Sequence, residues 1–226
     1  ITSYFHGGGT IEYASKEIMQ EHGLKPELTL VSEIDDDYLQ HSFDVNSHAF
    51  TSNTIILNGD ICNYDMSRNG GIRATLMTLG IVCKGASRSG RSALKLKNAE
   101  SHTAAGHLFW PSMKALAFIN PSIALIENTD SYRSTASFDG IMEVLKALDY
   151  DIETGVIDAH NFGTTETRKR VFIMACDDPN ALGEENIFNK TDWFIGPRKP
   201  VSMMIDVAIK DDDSSYREYT ALKLKE

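Results

Sequence analysis

The sequence passes from an apolar run into a basic one at Gly80-Ile81-Val82-Cys83-Lys84-Gly85-Ala86-Ser87-Arg88-Ser89-Gly90-Arg91-Ser92. The residues from Leu76 to Val82 are mostly apolar and predict a buried strand, with Cys83 at its carboxyl end. Between Lys84 and Lys97, a segment named here the basic loop, the chain carries five basic side chains and no acidic one. Because ligands bind at the carboxyl ends of strands in open α/β sheets, this stretch predicts both the sheet and the position of its site.

Two interpretations of Cys83 are open at this point. Nearby positive charge lowers the pKa of a thiol, and the thiolate is the reactive form, so Cys83 beside the basic loop is a candidate nucleophile. The same basic side chains suit a polyanionic substrate, because phosphate contacts come mainly from Lys and Arg. The alternative is an inert core thiol, since free cysteine is among the most buried residue types.

The composition limits the classes of protein that the chain can belong to. Its 226 residues are 42% hydrophobic, enough for one large domain or for one domain and part of another. The three cysteines have no regular spacing, which argues against a disulfide framework or a zinc site and favours a reducing compartment such as the cytoplasm. No signal peptide and no apolar run of membrane-spanning length occur in the sequence, so we expect no membrane association. From the spacing of the cysteines we also expect no metal. The net charge of -10 disfavours general affinity for nucleic acid, and a polyanion would have to meet a local basic patch.

The first strand and its turn predict a cofactor site. Ile1 to Phe5 is predicted as a strand, followed by the glycine turn His6-Gly7-Gly8-Gly9 and a helix over about 10–21. This order lets backbone N–H groups approach a cofactor closely, although a glycine cluster alone is also an ordinary tight turn. Leu28 to Ser32 is predicted as the second strand, and Glu33 at its end has the spacing of an acid that accepts from ribose hydroxyls.

The third strand, Ile55 to Leu57, ends in a similar polar segment, Asn58-Gly59-Asp60-Ile61. Asp60 could accept a hydrogen bond from an adenine amino group, although Asp after Gly is also common turn chemistry. The acidic run Asp35-Asp36-Asp37 is interpreted as the cap of a helix rather than as part of a site. Three successive strands that each end in glycine or an acid favour a nucleotide-type cofactor.

The rest of the chain continues the alternation of strands and helices. The further elements expected are a helix over 106–119, a strand over 123–126 that ends at Glu127-Asn128, a helix over 138–148 and strands over 150–158 and 171–175. Alternation of this kind predicts an α/β fold with a doubly wound, mostly parallel sheet. We expect residues 1–176 to form this domain and residues 177–226 to be a linker and the start of a second region.

The order of these motifs resembles the cytosine-5 DNA methyltransferases, which have a Rossmann-like fold and use S-adenosylmethionine. The resemblance covers residues 5 to 175, and no single motif in it is specific. Its segments are Phe5-His6-Gly7-Gly8-Gly9, Glu33-Ile34-Asp35, Gly59-Asp60-Ile61, Val82-Cys83, Gly106-His107-Leu108-Phe109, Glu127-Asn128-Thr129 and Glu166-Thr167-Arg168-Lys169-Arg170.

The resemblance implies a role for each matching residue. Cys83 would attack carbon 6 of a flipped-out cytosine, Glu127 would assist at ring nitrogen 3, and Arg168, with Arg170, would hold the base and orient Glu127. The residues that would bind S-adenosylmethionine are Phe5, Gly7, Gly9, Thr10, Glu33, Ile34, Asp60, Ile61 and Leu108. Those that would contact double-stranded DNA are Lys84, Ser87, Arg88 and Arg91. The setting implied is a bacterial or phage cytoplasm.

Several positions depart from the family pattern. Val82 replaces a proline, Glu166 a glutamine, Thr129 a valine, and Thr10 stands where a glycine is usual. The residues after 176 are too few for both the target-recognition domain and the last motif of the family, so we expect the recognition part to be missing or barely begun.

Three other functions fit part of the pattern. A transfer-RNA cytosine methyltransferase shares these motifs, and a catalytically silent homologue could bind a cofactor or a partner enzyme. A nicotinamide-binding Rossmann protein fits the glycine turn and Glu33 but leaves Cys83, Glu127 and Arg168 unexplained. The remaining cysteines, Cys62 and Cys176, are interpreted as structural.

Overall fold

The computed structural model describes residues 1–69, 72–82, 85–86, 92–93, 95–96, 98–103, 105–162, 164, 167–183 and 186–189. The chain divides into two units, one of Ile1–Val156 with Arg170–Lys190 and one of Ile157–Lys169 with Thr191–Glu226. Cys83 and most of the basic loop lie outside the described residues, as does most of the second unit.

A seven-stranded sheet forms the centre of the fold. Its strands are β1 (Thr2–Tyr4), β2 (Leu30–Glu33), β3 (Ile55–Asn58), β4 (Leu76–Leu79), β5 (Ile123–Thr129), β6 (Asp151–Asp158) and β7 (Lys169–Cys176), in the order β3-β2-β1-β4-β5-β7-β6. The pairs from β3 to β5 are all parallel, and β7 joins β5 in the antiparallel direction. The predicted fold class is confirmed.

In the part of the chain that the structure describes, the strands are accompanied by the α-helices α1 (Thr10–Glu21), α2 (Asp36–Asn46), α3 (Phe109–Ile119) and α4 (Ala136–Ala147). Every residue of β1 and β4 is buried, as expected for parallel strands that are covered on both faces. The main core combines this sheet with the apolar sides of α3 and α4, where Leu116 and Leu145 are fully buried. Within the described residues no helix is both long and apolar enough to cross a bilayer.

The acidic run Asp35-Asp36-Asp37 caps α2, as the sequence predicts. The Asp35 carboxylate accepts from the backbone N–H of Asp37 at 3.0 Å and of Tyr38 at 3.2 Å. These bonds satisfy donors that the first turn of a helix cannot pair internally. The run therefore starts a helix beside the end of β2.

Two strands, β4 and β5, end three residues away from their predicted ends. The strand predicted over 76–82 stops at Leu79, because its neighbour β1 ends at Tyr4 and Phe5 turns away with a φ of 56°. The strand predicted over 123–126 continues to Thr129, because β7 pairs with it along its whole length. Glu127 and Asn128 therefore lie within β5 rather than after it.

Candidate active site

The glycine turn follows β1 in a conformation that its glycines make possible. Gly7 has a φ of 55° and Gly9 a φ of 74°, both in the left-handed region. A Cβ on Gly9 would lie 2.5 Å from Ser42 Oγ and 2.8 Å from His6 Nε2, so the close packing of the turn also requires a glycine there. The backbone of this turn can approach a ligand because no side chain stands in front of Gly7, where an added Cβ would meet nothing within 4 Å.

The Glu33 carboxylate joins the end of β2 to the glycine turn. Its Oε2 accepts from the Gly7 N–H at 2.7 Å, and its Oε1 accepts from the N–H of Ile34 at 2.9 Å and of Asp35 at 3.0 Å. Three backbone donors hold the carboxylate at the carboxyl edge of the sheet, although Glu33 itself is only 9% exposed. Glu33 is thus oriented before any ligand arrives.

A cavity of about 380 Å³, the main cavity, opens at this edge of the sheet. Six of the residues predicted to bind a cofactor line it: Phe5, Glu33, Ile34, Asp60, Ile61 and Leu108. Its volume and its mixture of apolar and polar groups are typical of sites for small molecules. Gly7, Gly9 and Thr10, also predicted, lie in the adjoining turn and helix start rather than in the wall.

The wall also contains residues that the sequence did not assign to a site: Ser32, Gly59, Val82, Ala105 and His107. Ser32 and Gly59 are neighbours of predicted residues at the ends of β2 and β3, and His107 stands next to Leu108. Val82 is adjacent in sequence to Cys83. Ala105 directly precedes Gly106, so proximity to a predicted motif was the signal that could have identified all five residues.

Asp60 is held by the short turn that follows β3. Its Oδ1 accepts from the Cys62 N–H at 2.9 Å. This backbone hydrogen bond is the main cause that lowers the pKa of Asp60, with smaller contributions from the Cys62 side chain and from His107, while desolvation opposes them. Asp60 is therefore an ionised acceptor at the wall of the main cavity.

Glu127 and Arg170 form an ion pair on neighbouring strands. Arg170 Nε lies 2.7 Å from Glu127 Oε1, with 22% and 25% of the two side chains exposed. Their positions follow from the antiparallel register of β5 and β7, in which Thr129 is opposite Arg170 and Glu127 is opposite Phe172. The pair combines a carboxylate with a fixed cation while keeping access to solvent.

Asn128 connects this pair to the segment before Cys83. Its Nδ2 donates to the Ile81 carbonyl at 3.0 Å, and the side chain is buried. A second link is made by Ser131, whose Oγ donates to the Ala86 carbonyl at 2.8 Å. The end of β5 and the turn that follows it thus hold the described residues before and after Cys83, and Val82, between these two contacts, lines the main cavity.

Among the described residues, no hydrogen bond or ion pair given above joins Arg168 to the main cavity or to the pair of Glu127 and Arg170. Arg168 belongs to the second unit, where its side chain is exposed and its backbone N–H donates to Asp158 Oδ1 at 3.0 Å. The predicted roles of Cys83, Lys84, Ser87, Arg88 and Arg91 concern residues outside the described part of the chain, and they stay predictions.

The two other cysteines differ from each other. Cys176 is buried, and desolvation raises the pKa of its thiol, which fits a structural residue. Cys62 is exposed beside Asp60 and is not part of the core. Among the described residues no group of three or more His, Cys, Asp or Glu side chains could hold a metal ion.

Comparison with known proteins identifies related sequences. The model of the family described as C-5 cytosine-specific DNA methylase matches residues 2–215. The type II methyltransferase M.Sau3AI of Staphylococcus aureus is 29% identical over 144 residues, which are 60% of this chain and 34% of that protein. The chain therefore spans about a third of the length of this relative.

Solved structures with the same fold include two methyltransferases. The Dnmt2 methyltransferase of S. pombe has a TM-score of 0.59 at 16% identity, over 82% of this chain and 51% of that one. The methyltransferase EhMeth of Entamoeba histolytica has a TM-score of 0.62 at 14% identity, over 84% of this chain and 56% of that one. At these identities the likeness establishes the fold, and the chain spans about half the length of each structure.

Proposed function

Because the chain belongs to the C-5 cytosine-specific DNA methylase family, we propose that it transfers a methyl group from S-adenosylmethionine to carbon 5 of a cytosine in DNA. One observation carries the proposal. The segment before Cys83 lines the main cavity through Val82 and is bonded through Ile81 to Asn128, the neighbour of Glu127. A candidate cofactor site, the segment that precedes the candidate nucleophile and a charged pair thus lie at one edge of the sheet.

The residues of the main cavity fit S-adenosylmethionine. Glu33 is an oriented acceptor for ribose hydroxyls, and Asp60 is an acceptor for the adenine amino group. Ile34 lines the cavity with 65% of its surface exposed, which offers an apolar surface for a flat base. Bound there, the cofactor would supply an electrophilic methyl group, while the protein binds and orients it.

The proposed chemistry begins at Cys83. Carbon 5 of cytosine is a poor nucleophile, and addition of the Cys83 thiolate to carbon 6 activates it, which splits one difficult step into two. Glu127 would stabilise the resulting ring by sharing a proton at nitrogen 3, and Arg170 fixes one oxygen of Glu127 for that contact. After methyl transfer, loss of the carbon 5 proton expels the thiolate and regenerates the enzyme.

Access to the base requires a change in the DNA. The reacting atoms of cytosine are unreachable within a stacked duplex, so the enzyme would flip the base out of the helix. Lys84, Ser87, Arg88 and Arg91 follow Cys83 and would contact the phosphates of the displaced strand.

A methyl-transfer assay tests this function. The chain is incubated with labelled S-adenosylmethionine and duplex DNA, duplex DNA already methylated at every cytosine carbon 5, or transfer RNA. We expect label only in the unmethylated duplex and only as 5-methylcytosine. Transfer to RNA alone would identify the RNA enzyme instead, and label on an exocyclic nitrogen would contradict the proposed chemistry.

A further inference from the structure

His107 is an exposed residue in the wall of the main cavity for which the proposed chemistry has no role. The same wall contains the side chains of Glu33 and Asp60, whose carboxylate oxygens accept hydrogen bonds. A histidine ring carries an N–H in every protonation state and can donate. His107 therefore adds a ring donor to a wall that contains two carboxylate acceptors.

The backbone at His107 is held tightly on both sides. A Cβ added to Gly106 would lie 2.2 Å from the Glu100 carbonyl oxygen, so this segment packs against the preceding turn without room for a side chain. Gly106 N–H donates to the His102 carbonyl at 2.8 Å, and the His107 carbonyl accepts from Trp110 N–H at 3.1 Å in the first turn of α3. The ring thus extends from a fixed point, which reduces the entropy lost when it binds a ligand.

Asp60 and His107 together form a pair with complementary hydrogen-bonding character. His107 is close enough to Asp60 to contribute to its lowered pKa, after the larger effect of the Cys62 backbone N–H. Both residues line the same cavity. An acceptor and a donor that interact electrostatically therefore share the wall of this cavity.

The edge of adenine has the matching pattern, an amino donor on carbon 6 next to a ring-nitrogen acceptor. We propose that His107 is a specificity-determining residue that donates a hydrogen bond to the adenine ring nitrogen beside the amino group bound by Asp60. This inference rests on the proposed function, since it takes S-adenosylmethionine as the ligand of the main cavity.

The pair would also reject other purines. Hypoxanthine carries a carbonyl oxygen where adenine has its amino group, so the Asp60 carboxylate would face an acceptor. A site built to hydrogen-bond one group discriminates strongly against an analogue that leaves its polar atoms unpaired.

Calorimetric titration of the full 226-residue chain with S-adenosylhomocysteine and its 1-deaza and 7-deaza analogues tests the inference. Each analogue replaces one ring nitrogen beside the amino group by C–H. We expect the wild type to bind one of the two analogues about 10-fold more weakly than S-adenosylhomocysteine, the effect of one lost hydrogen bond.

The variant His107→Ala should bind S-adenosylhomocysteine about 10-fold more weakly than the wild type does and show no further loss of affinity with that analogue. The variant His107→Gln keeps an N–H donor and should restore part of the lost affinity. His22→Ala, a change at an exposed histidine after α1, is the control and should behave as wild type.

Each outcome separates the two proposals. If the wild type binds S-adenosylhomocysteine but His107→Ala loses nothing, or loses affinity for all three ligands equally, His107 does not contact a ring nitrogen and only the inference fails. The inference alone also fails if the wild type binds both analogues as tightly as it binds S-adenosylhomocysteine. If the wild type binds none of the three ligands, the proposed function itself is wrong.

Discussion

Glu127 is the residue whose replacement most directly tests the acid–base part of the proposed reaction. The change Glu127→Gln keeps the shape of the side chain but removes its titratable proton and its charge beside Arg170. We expect turnover to fall roughly 10²-fold, the usual scale of general acid–base help, with little change in the affinity for S-adenosylmethionine.

The matched control for this change is Glu143→Gln, at an exposed position on α4. Its turnover should equal that of the wild type. Equal turnover of Glu127→Gln and wild type across the pH range would show that Glu127 has no acid–base role.

The arginine that accompanies Glu127 illustrates what the sequence could not decide. Arg168 and Arg170 both belong to one short basic run, and alternation along a strand places them on the same face. Arg170 is the partner of Glu127 because of the register in which β7 pairs with β5. The register between two strands that are distant in sequence cannot be predicted from the residues of either strand alone. The types of residue at the site were therefore predictable, whereas their pairing was not.

The burial of His6 predicts that the free energy of unfolding depends on pH. Its Nδ1 lies 2.9 Å from Ser3 Oγ and its Nε2 lies 2.6 Å from Ser42 Oγ, and Glu12 is nearby at 3.4 Å. Burial lowers the pKa of His6, and the carboxylates of Glu12 and Glu33 oppose this shift without reversing it. As the pH falls through the ordinary histidine pKa of about 6.5, His6 therefore binds a proton more readily in the unfolded chain than in the folded chain.

The free energy of unfolding should consequently fall as the pH drops from 7.5 to 5.5, by at most about 1.4 kcal/mol per pH unit for this one group. Urea unfolding at both pH values measures this change in the free energy of unfolding. In His6→Gln, which cannot titrate, the difference between the two pH values should shrink, while His22→Gln should keep the wild-type difference. An unchanged difference in His6→Gln would show that another group dominates.

At the scale of elements, Glu100 joins the segment before α3 to the start of α4. Its Oε1 accepts from the backbone N–H of Ser137 at 2.8 Å and from Ser137 Oγ at 3.0 Å. Burial opposes ionisation, but the hydrogen bonds, led by that of the Ser137 backbone, lower the pKa of Glu100 overall. A carboxylate at the amino end of a helix also complements the helix dipole.

Glu100→Ala should reduce the free energy of unfolding by about 1–2 kcal/mol, because a charged hydrogen-bond acceptor is lost. Thermal or urea unfolding measures the change. The control Glu143→Ala removes an exposed pair with Lys146 on the same helix and should cost less than about 0.5 kcal/mol. Similar effects of the two substitutions would mean that the contact with Ser137 contributes no more than a surface pair.

The strands show how far local pattern determines the elements. The sequence identified all seven strands, most of them from short apolar runs and β6 from a partial alternation of apolar and polar residues. The fully buried strands β1 and β4 are parallel strands covered on both faces. The ends of the strands depended on neighbours: β4 stops where β1 turns at Phe5, and β5 continues because β7 pairs with it. The sequence therefore predicted which segments form the sheet but misplaced Glu127 and Asn128 at a strand end.

At the scale of the whole molecule, the distribution of charge predicts the affinity of this chain for DNA and its dependence on salt. The net charge is -10, and two segments that are rich in basic side chains are the basic loop and Arg168-Lys169-Arg170. We expect weak binding of these 226 residues to duplex DNA, without sequence preference. The logarithm of the affinity should fall with the logarithm of salt concentration with a shallow slope, about 0.9 for each phosphate neutralised.

Titration of several duplexes at several salt concentrations checks this expectation. Tight, sequence-selective binding would show that these residues contain a recognition surface.

Covalent trapping tests the central claim, attack by Cys83 on carbon 6 of cytosine, most directly. Duplex DNA of random sequence that contains 5-fluorocytosine is incubated with the chain and S-adenosylmethionine, and the adduct is located by peptide mass spectrometry. Fluorine cannot leave carbon 5 as a proton does, so the covalent complex accumulates. The account predicts an adduct on Cys83 that requires the cofactor, is absent in Cys83→Ala and persists in Cys62→Ala. An adduct on another residue, or methylation of ordinary cytosine by Cys83→Ala, would contradict it.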